Sequence, residues 1–208
     1  MHNPKVLFHY ERLFSRYPLL APLKDAIMRA YSAIEGAFRG DGKLLICGNG
    51  GSAADADHIV GELMKGFYKP RKLDGEDSRV FGLLGEKLQG ALPAIALTQH
   101  SALSSAFAND ADPSMAFAQQ VYGYGRPGDA LLALSTSGNS VNVLNAVSVA
   151  KAIGMATIGM TGESGGELIK ICGVCVNVPA AATADIQELH LPVYHTLCAM
   201  LEEEFFAD

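Results

Sequence analysis

The chain has 208 residues, of which 49% are hydrophobic and 18% charged, with a formal net charge of -6. That apolar fraction suffices for the core of one domain, and an acidic chain whose densest basic spot is Lys69 to Lys72 excludes a nucleic-acid footprint. No run approaches the roughly 18 apolar residues of a membrane span, and the opening residues lack the apolar core and cleavage site of a secretion signal, so a cytoplasmic protein with no membrane partner is expected.

The first forty residues read as a helical extension. From Leu23 the apolar positions fall at Ala26, Ile27, Ala30, Tyr31, Ile34, Ala37 and Phe38, a 3.6-residue stripe. "RGDGK" then breaks the pattern, and residues 41–208 read as one structural unit. Its strands are the short apolar segments "KLLIC", "LPAIALT", "DALLALST", "MATIGMT" and "VCVNVP". Most are apolar throughout rather than alternating, as parallel strands covered on both faces should be. Helical patterns alternate with them, notably "NSVNVLNAVSVAKAIG" and "GGELIKIC", and a long helix from about Thr183 to Phe206 closes the chain. The expectation is a three-layer α/β domain with a five-stranded, mostly parallel sheet and right-handed crossovers. Residues 69–91 are a long polar, glycine-containing connection of the kind found in lids or disordered segments.

Of the four cysteines, Cys47 and Cys175 fall in predicted buried strands and Cys198 in a helix, which suits reduced packing thiols. Cys172 and Cys175 have CxxC spacing, but a zinc ribbon needs a second pair, and a redox motif normally opens a helix.

Two connections carry the chemistry. "GNGGSAADADH" follows the first strand and "STSGNSVNV" the third, so two small-residue loops lie at carboxyl ends of strands, where open α/β sheets bind ligands. Gly48, Gly50 and Ala53 satisfy a dinucleotide fingerprint. The second strand, however, ends near Thr98 and Gln99 without the acid that would hold a ribose, and no P-loop Lys follows. No nucleotide cofactor is expected. Ser135, Thr136, Ser137 and Ser140 surround a helix start, where free N–H groups and the positive dipole end attract phosphate. Capping needs only one such hydroxyl.

His58 and Glu62 stand four apart on the helix after the glycine loop and share a face. "DIQELHLPVYHT" adds Gln187, Glu188, His190 and His195 on the last helix. His58, Glu62, Gln187 and His195 are together able to ligate a zinc-like metal, and Glu62 with His195 is equally able to act as an acid–base pair without one. Gln187 and His195 are eight residues apart, about 12 Å along a straight helix. Pro192 between them should kink that helix at the Glu188 carbonyl.

These pieces, with "AND" at Ala108 to Asp110, "TGESGG" and "IQELHLPVYH", resemble the sugar isomerase (SIS) domain family and, within it, the phosphoheptose isomerases. The resemblance runs from about residue 21 to 204 and implies an SIS or flavodoxin-like fold. It implies phosphosugar contacts at Asn49, Gly50, Gly51, Ser52, Asn109, Asp110, Ser135, Thr136, Ser137, Ser140 and Gln187. It also implies a zinc site at His58, Glu62, Gln187 and His195, with Glu62 as base and His195 as its acid–base partner. The implied reaction interconverts sedoheptulose 7-phosphate and D-glycero-D-manno-heptose 7-phosphate through an enediol, in a homotetramer with sites at subunit interfaces. Asp185 and Gly61 depart from the family's usual residues. The resemblance leaves two alternatives: an isomerase of another phosphosugar, or a non-catalytic phosphosugar-binding relative of the type that associates with the bacterial replication initiator. The latter type lacks the last-helix His that this chain keeps as His195.

Overall fold

In the computed structural model, residues 3–73 and 75–206 are described. Five strands form one sheet: β1 (Leu44–Cys47), β2 (Ala94–Ala96), β3 (Ala130–Leu134), β4 (Ala156–Thr161) and β5 (Val174–Asn177). Their order is β2-β1-β3-β4-β5, and every pairing is parallel. The sheet is therefore wholly rather than mostly parallel. Its edges are weaker than the sequence suggests, with β2 only three residues long and Cys175 in β5 only half-buried.

The α-helices in chain order are α1 (Pro4–Arg16), α2 (Lys24–Arg39), α3 (Gly51–Met64), α4 (Gly75–Phe81), α5 (Ser101–Asp110), α6 (Ala116–Tyr124), α7 (Val141–Ile153), α8 (Leu168–Ile171) and α9 (Thr183–Phe205). Strand alternation sorts the core into two layers. Leu44, Ile46, Leu132, Ile158 and Met160 face a cluster that includes Ile27, Tyr31 and Ile34 of α2 and Val193 and Leu197 of α9. Leu45, Cys47, Leu131 and Ala133 face Phe117 and Val121 of α6 and Val143 and Val147 of α7. The N-terminal helices belong to the first layer: α1 packs along α9, and α2 lies over β4 and β5.

Two of the connections differ from expectation. "GGELIKIC" holds only the single turn of α8, because the glycines before it leave too little chain for more. The 69–91 connection contains α4 and a 3-10 turn at Gly82–Leu84, and an antiparallel bridge between Lys72 and Gln89 closes its base. Helix α5 buries none of its residues. The last helix runs unbroken through Pro192 for 23 residues. The missing N–H there leaves the Glu188 carbonyl without its helical donor. All four cysteines are free, and burial pushes the Cys47 and Cys172 thiols up to about 12, as packing thiols require. Among the described residues no helix is long and apolar enough to cross a membrane.

Candidate active site

In the order β2-β1-β3 the crossovers leave β1 and β3 in opposite directions, so a crevice opens between their carboxyl ends. Both small-residue loops lie there. Gly50 takes φ +57, which a side chain would strain, and lets the chain turn from β1 directly into α3. A Cβ on Gly51 would come within 2.6 Å of the Gln187 amide nitrogen, so this glycine lets the first turns of α3 and α9 touch. The result is a pocket lined by Asn49, Gly50, Gly51, Ser52, Ser135, Thr136, Ser140, Thr183 and Gln187. Starts of α3, α7 and α9 all reach it, which concentrates free N–H groups and positive dipole ends.

Within it, Ser135 Oγ and Ser140 Oγ are 3.0 Å apart. The N-cap position of α7 is Ser140, yet its hydroxyl makes no capping hydrogen bond. The Ser135–Ser140 hydrogen bond uses one of the pair's two protons, so the other is available to a ligand. Asn49 and Asn142 exchange two amide hydrogen bonds, 3.0 and 2.9 Å, from one loop to the other. Ser137 is placed differently. Its hydroxyl accepts from the Asn139 N–H at 3.1 Å, and it lines the adjoining cleft with Gly162, Glu163 and Thr183. Asn109 and Asp110 do not line the loop pocket either. They end the exposed helix α5, where the Asn109 amide donates to Asp110 at 2.7 Å.

The acid–base residues gather toward the other end of α3, since Glu62 lies eleven residues beyond Gly51, about 16 Å along the axis. Glu62 Oε1 is 3.2 Å from His58 Nε2, and His58 Nε2 is 3.4 Å from His195 Nε2. Glu62 Oε2 is buried with no hydrogen-bond partner. Lys65 Nζ stands 3.7 Å from it. His195 is held below its ordinary value by burial first and by neighbouring His58 second, while Glu62 pulls the other way. Phe67 and Tyr194 flank its ring, at centroid distances of 5.4 and 5.0 Å.

Gln187 does not join this cluster; it stands over Gly51 instead. The other polar residues of "DIQELHLPVYHT" sort cleanly. His190 is fully buried and bonds the Thr161 carbonyl at 3.3 Å, a core histidine. Glu188 and Asp185 are exposed, Asp185 in the first turn of α9, where its charge suits the dipole.

Behind the cluster lies a clamp that periodicity does not reveal. Arg71 donates to the Leu63 carbonyl at 2.6 Å, to the Glu62 carbonyl at 3.0 Å and to Glu202 at 2.7 Å. Glu202 also accepts from the Phe67 and Tyr68 N–H groups at 2.8 and 2.7 Å. Burial pushes this carboxyl up, but those two N–H groups and Arg71 outweigh it and hold it below its ordinary value. The clamp ties off the end of α3 that carries Glu62.

A doubly wound sheet thus carries a hydroxyl-lined crevice at its switch point and a carboxylate–imidazole cluster on the helix leaving it. Residues 79–162 match the SIS domain family model. The chain is 40% identical over 184 residues to the phosphoheptose isomerase of Rhodospirillum rubrum, covering 88% of each, and 36% identical over 204 residues to that of Nitratiruptor sp., covering 98% of each. Among solved structures it is similar to the phosphoheptose isomerase GmhA from Neisseria gonorrhoeae, with TM-score 0.75, 32% identity, and coverage of 96% of this chain and 97% of that one. The chain belongs to the phosphoheptose isomerase family, a family of isomerases.

Proposed function

We propose that the protein interconverts sedoheptulose 7-phosphate and D-glycero-D-manno-heptose 7-phosphate. The observation that carries this reading is a phosphate-type crevice and a carboxylate–imidazole cluster placed on one helix, α3. The phosphate is bound by loop N–H groups and by the hydroxyls of Ser135, Thr136, Ser137 and Ser140, with Asn49, Gly50, Gly51, Ser52 and Gln187 completing the crevice. Neutral donors grip a dianion without fixing it by charge, which suits a product that must leave. Glu62 takes the proton from C1 of the ketose and returns it to C2 of the enediol, while His195 moves the proton between the two oxygens. The lowered His195 fits such a role, because it favours a neutral imidazole with one ring nitrogen to accept a proton and one N–H to donate.

Zinc is the metal that the family resemblance suggests. His58, His195 and Glu62 are nitrogen and oxygen donors of the kind zinc takes, and Glu62 Oε2 is a buried oxygen with no hydrogen-bond partner. In the single chain these groups touch one another directly, and no set of three or more His, Cys, Asp or Glu among the described residues is arranged around a metal position. Gln187 would have to be drawn in from its place over Gly51. When bound, zinc would polarise the sugar carbonyl as a Lewis acid.

We also propose a homotetramer in which a neighbouring copy helps complete each site. Asn109 and Asp110 sit on a helix with no fully buried residue within its own chain, and Val80, Leu83 and Leu84 are 76%, 81% and 66% exposed. The reduced thiols suit a cytoplasmic location.

The test is turnover of sedoheptulose 7-phosphate by purified protein, before and after stringent chelation, with mass measured by light scattering. Turnover that falls on chelation and returns with zinc, from a tetramer, is expected. Heat protection by the sugar phosphate without turnover would favour the non-catalytic binding reading instead.

A further inference from the structure

Tyr194 of α9 is buried, 1% exposed, and its hydroxyl lies between two side chains of α3. It donates to Asp55 Oδ1 at 3.0 Å and stands 3.2 Å from His58 Nδ1. The other Asp55 oxygen, Oδ2, is buried with no hydrogen-bond partner, so this carboxylate depends on Tyr194. Proton counting then constrains the histidine. A phenol carries one proton, and an ionised carboxylate only accepts. The Tyr194 proton is committed to Asp55, and its oxygen can meet His58 only as an acceptor. The ring nitrogen facing it must carry a hydrogen.

We infer that Asp55 and Tyr194 hold His58 in the tautomer protonated at Nδ1, so that Nε2 presents a lone pair to Glu62 and His195. Tyr194 is thus a positioning residue for the site. Its ring, whose centroid lies 5.7 Å from that of His58 at an interplanar angle of 75°, also fixes the imidazole plane.

The consequence lies at Nε2. Glu62 Oε1, 3.2 Å away, is also an acceptor, and a neutral His58 of this tautomer has no hydrogen to offer it. Two lone pairs facing each other at that distance favour a positive centre between them, whether a shared proton or a metal ion. The same neighbour relationship, an outer group accepting from the far ring N–H, is how metal-binding histidines are usually oriented. That consequence for metal binding rests on the zinc reading above; the tautomer does not.

The experiment is long-range proton–nitrogen NMR of 15N-labelled protein at about pH 8.5, about two units above the ordinary His value, where imidazoles are neutral. The His58 signals are assigned by their loss in His58→Gln. The wild type is expected to show a protonated Nδ1 and a lone-pair Nε2, and Tyr194→Phe, which removes only the hydroxyl, is expected to lose that preference. A wild type protonated at Nε2 overturns the inference, as does an unchanged preference in Tyr194→Phe. Should the variant fold poorly, the wild-type spectrum alone decides. In a parallel competition against a chelator, Tyr194→Phe is expected to bind zinc about 10–100-fold more weakly. A wild type that takes up no zinc would remove the metal reading and leave the tautomer result to decide this one.

Discussion

Asn49 and Asn142 face each other as a reciprocal amide pair, 3.0 and 2.9 Å, joining the loop after β1 to the first turn of α7. Asn142 Oδ1 also accepts from the Val143 N–H at 3.0 Å. The pair sets the width of the crevice. Asn142→Ala should leave the fold intact, at a cost of about 1 kcal/mol, and weaken phosphosugar affinity roughly tenfold as the loops lose their mutual register. Titration calorimetry with sedoheptulose 7-phosphate checks this, and unchanged affinity would make the pair purely a packing feature.

Ser140 and Ser137 should separate under the same measurement. Ser140 lines the crevice beside Ser135, whereas Ser137, which accepts from the Asn139 N–H, lines the adjoining cleft. Ser140→Ala is expected to lose about 1.5–3 kcal/mol of binding, one to two orders of magnitude in KM with kcat less affected. Ser137→Ala should lose less. Equal losses would mean that Ser137 turns inward when ligand binds.

The Arg71–Glu202 clamp makes a stability prediction. Both side chains are essentially inaccessible, 0% and 1% exposed, and removing one leaves the other charge buried and unpaired. Arg71→Ala should cost about 3–5 kcal/mol in denaturant unfolding. The double change Arg71→Met with Glu202→Leu should recover much of the charge penalty, although the Phe67 and Tyr68 N–H groups would then lose their acceptor. A single variant as stable as wild type would contradict the clamp.

How much of this was legible in the sequence follows from which interactions are local. The sheet was legible because its strands are apolar throughout, and α2 because its stripe from Ala26 to Phe38 is periodic. Helix α5 was not, since "SALSSAFAND" has no buried face to leave a pattern. Both loops were legible because small residues cluster at strand ends, and His58 with Glu62 because i, i+4 spacing brings side chains together on any helix. Asn142, Tyr194, Arg71 and Glu202 were not, because their partners lie 8 to 139 residues away. Gln187 stands over Gly51, at the opposite end of α3 from Glu62, as its eight-residue helix rise from His195 foreshadowed.

His190 gives the chain an acid-sensitive core. It is buried, held down to about 4 by desolvation against a single hydrogen bond to the Thr161 carbonyl, and its Nδ1 has no partner to receive a second proton. The unfolded chain binds that proton near 6.5 and the folded chain near 4. Stability from this group is therefore complete above about pH 6.5 and falls as the pH drops toward 4. The loss is on the order of 3 kcal/mol. His190→Gln should flatten that acid limb in urea unfolding across pH 7 to 4; an unchanged slope would assign it elsewhere.

The most direct test of the central claim is isomerisation in deuterium oxide, with wild type and Glu62→Gln compared by NMR. If Glu62 carries the proton through an enediol, solvent deuterium enters C2 of the heptose and C1 of the ketose. The glutamine variant should bind sedoheptulose 7-phosphate while losing both turnover and exchange by at least a thousandfold, on the order expected for a general base. Wild-type turnover without deuterium incorporation, or a variant exchanging within tenfold of wild type, would contradict it.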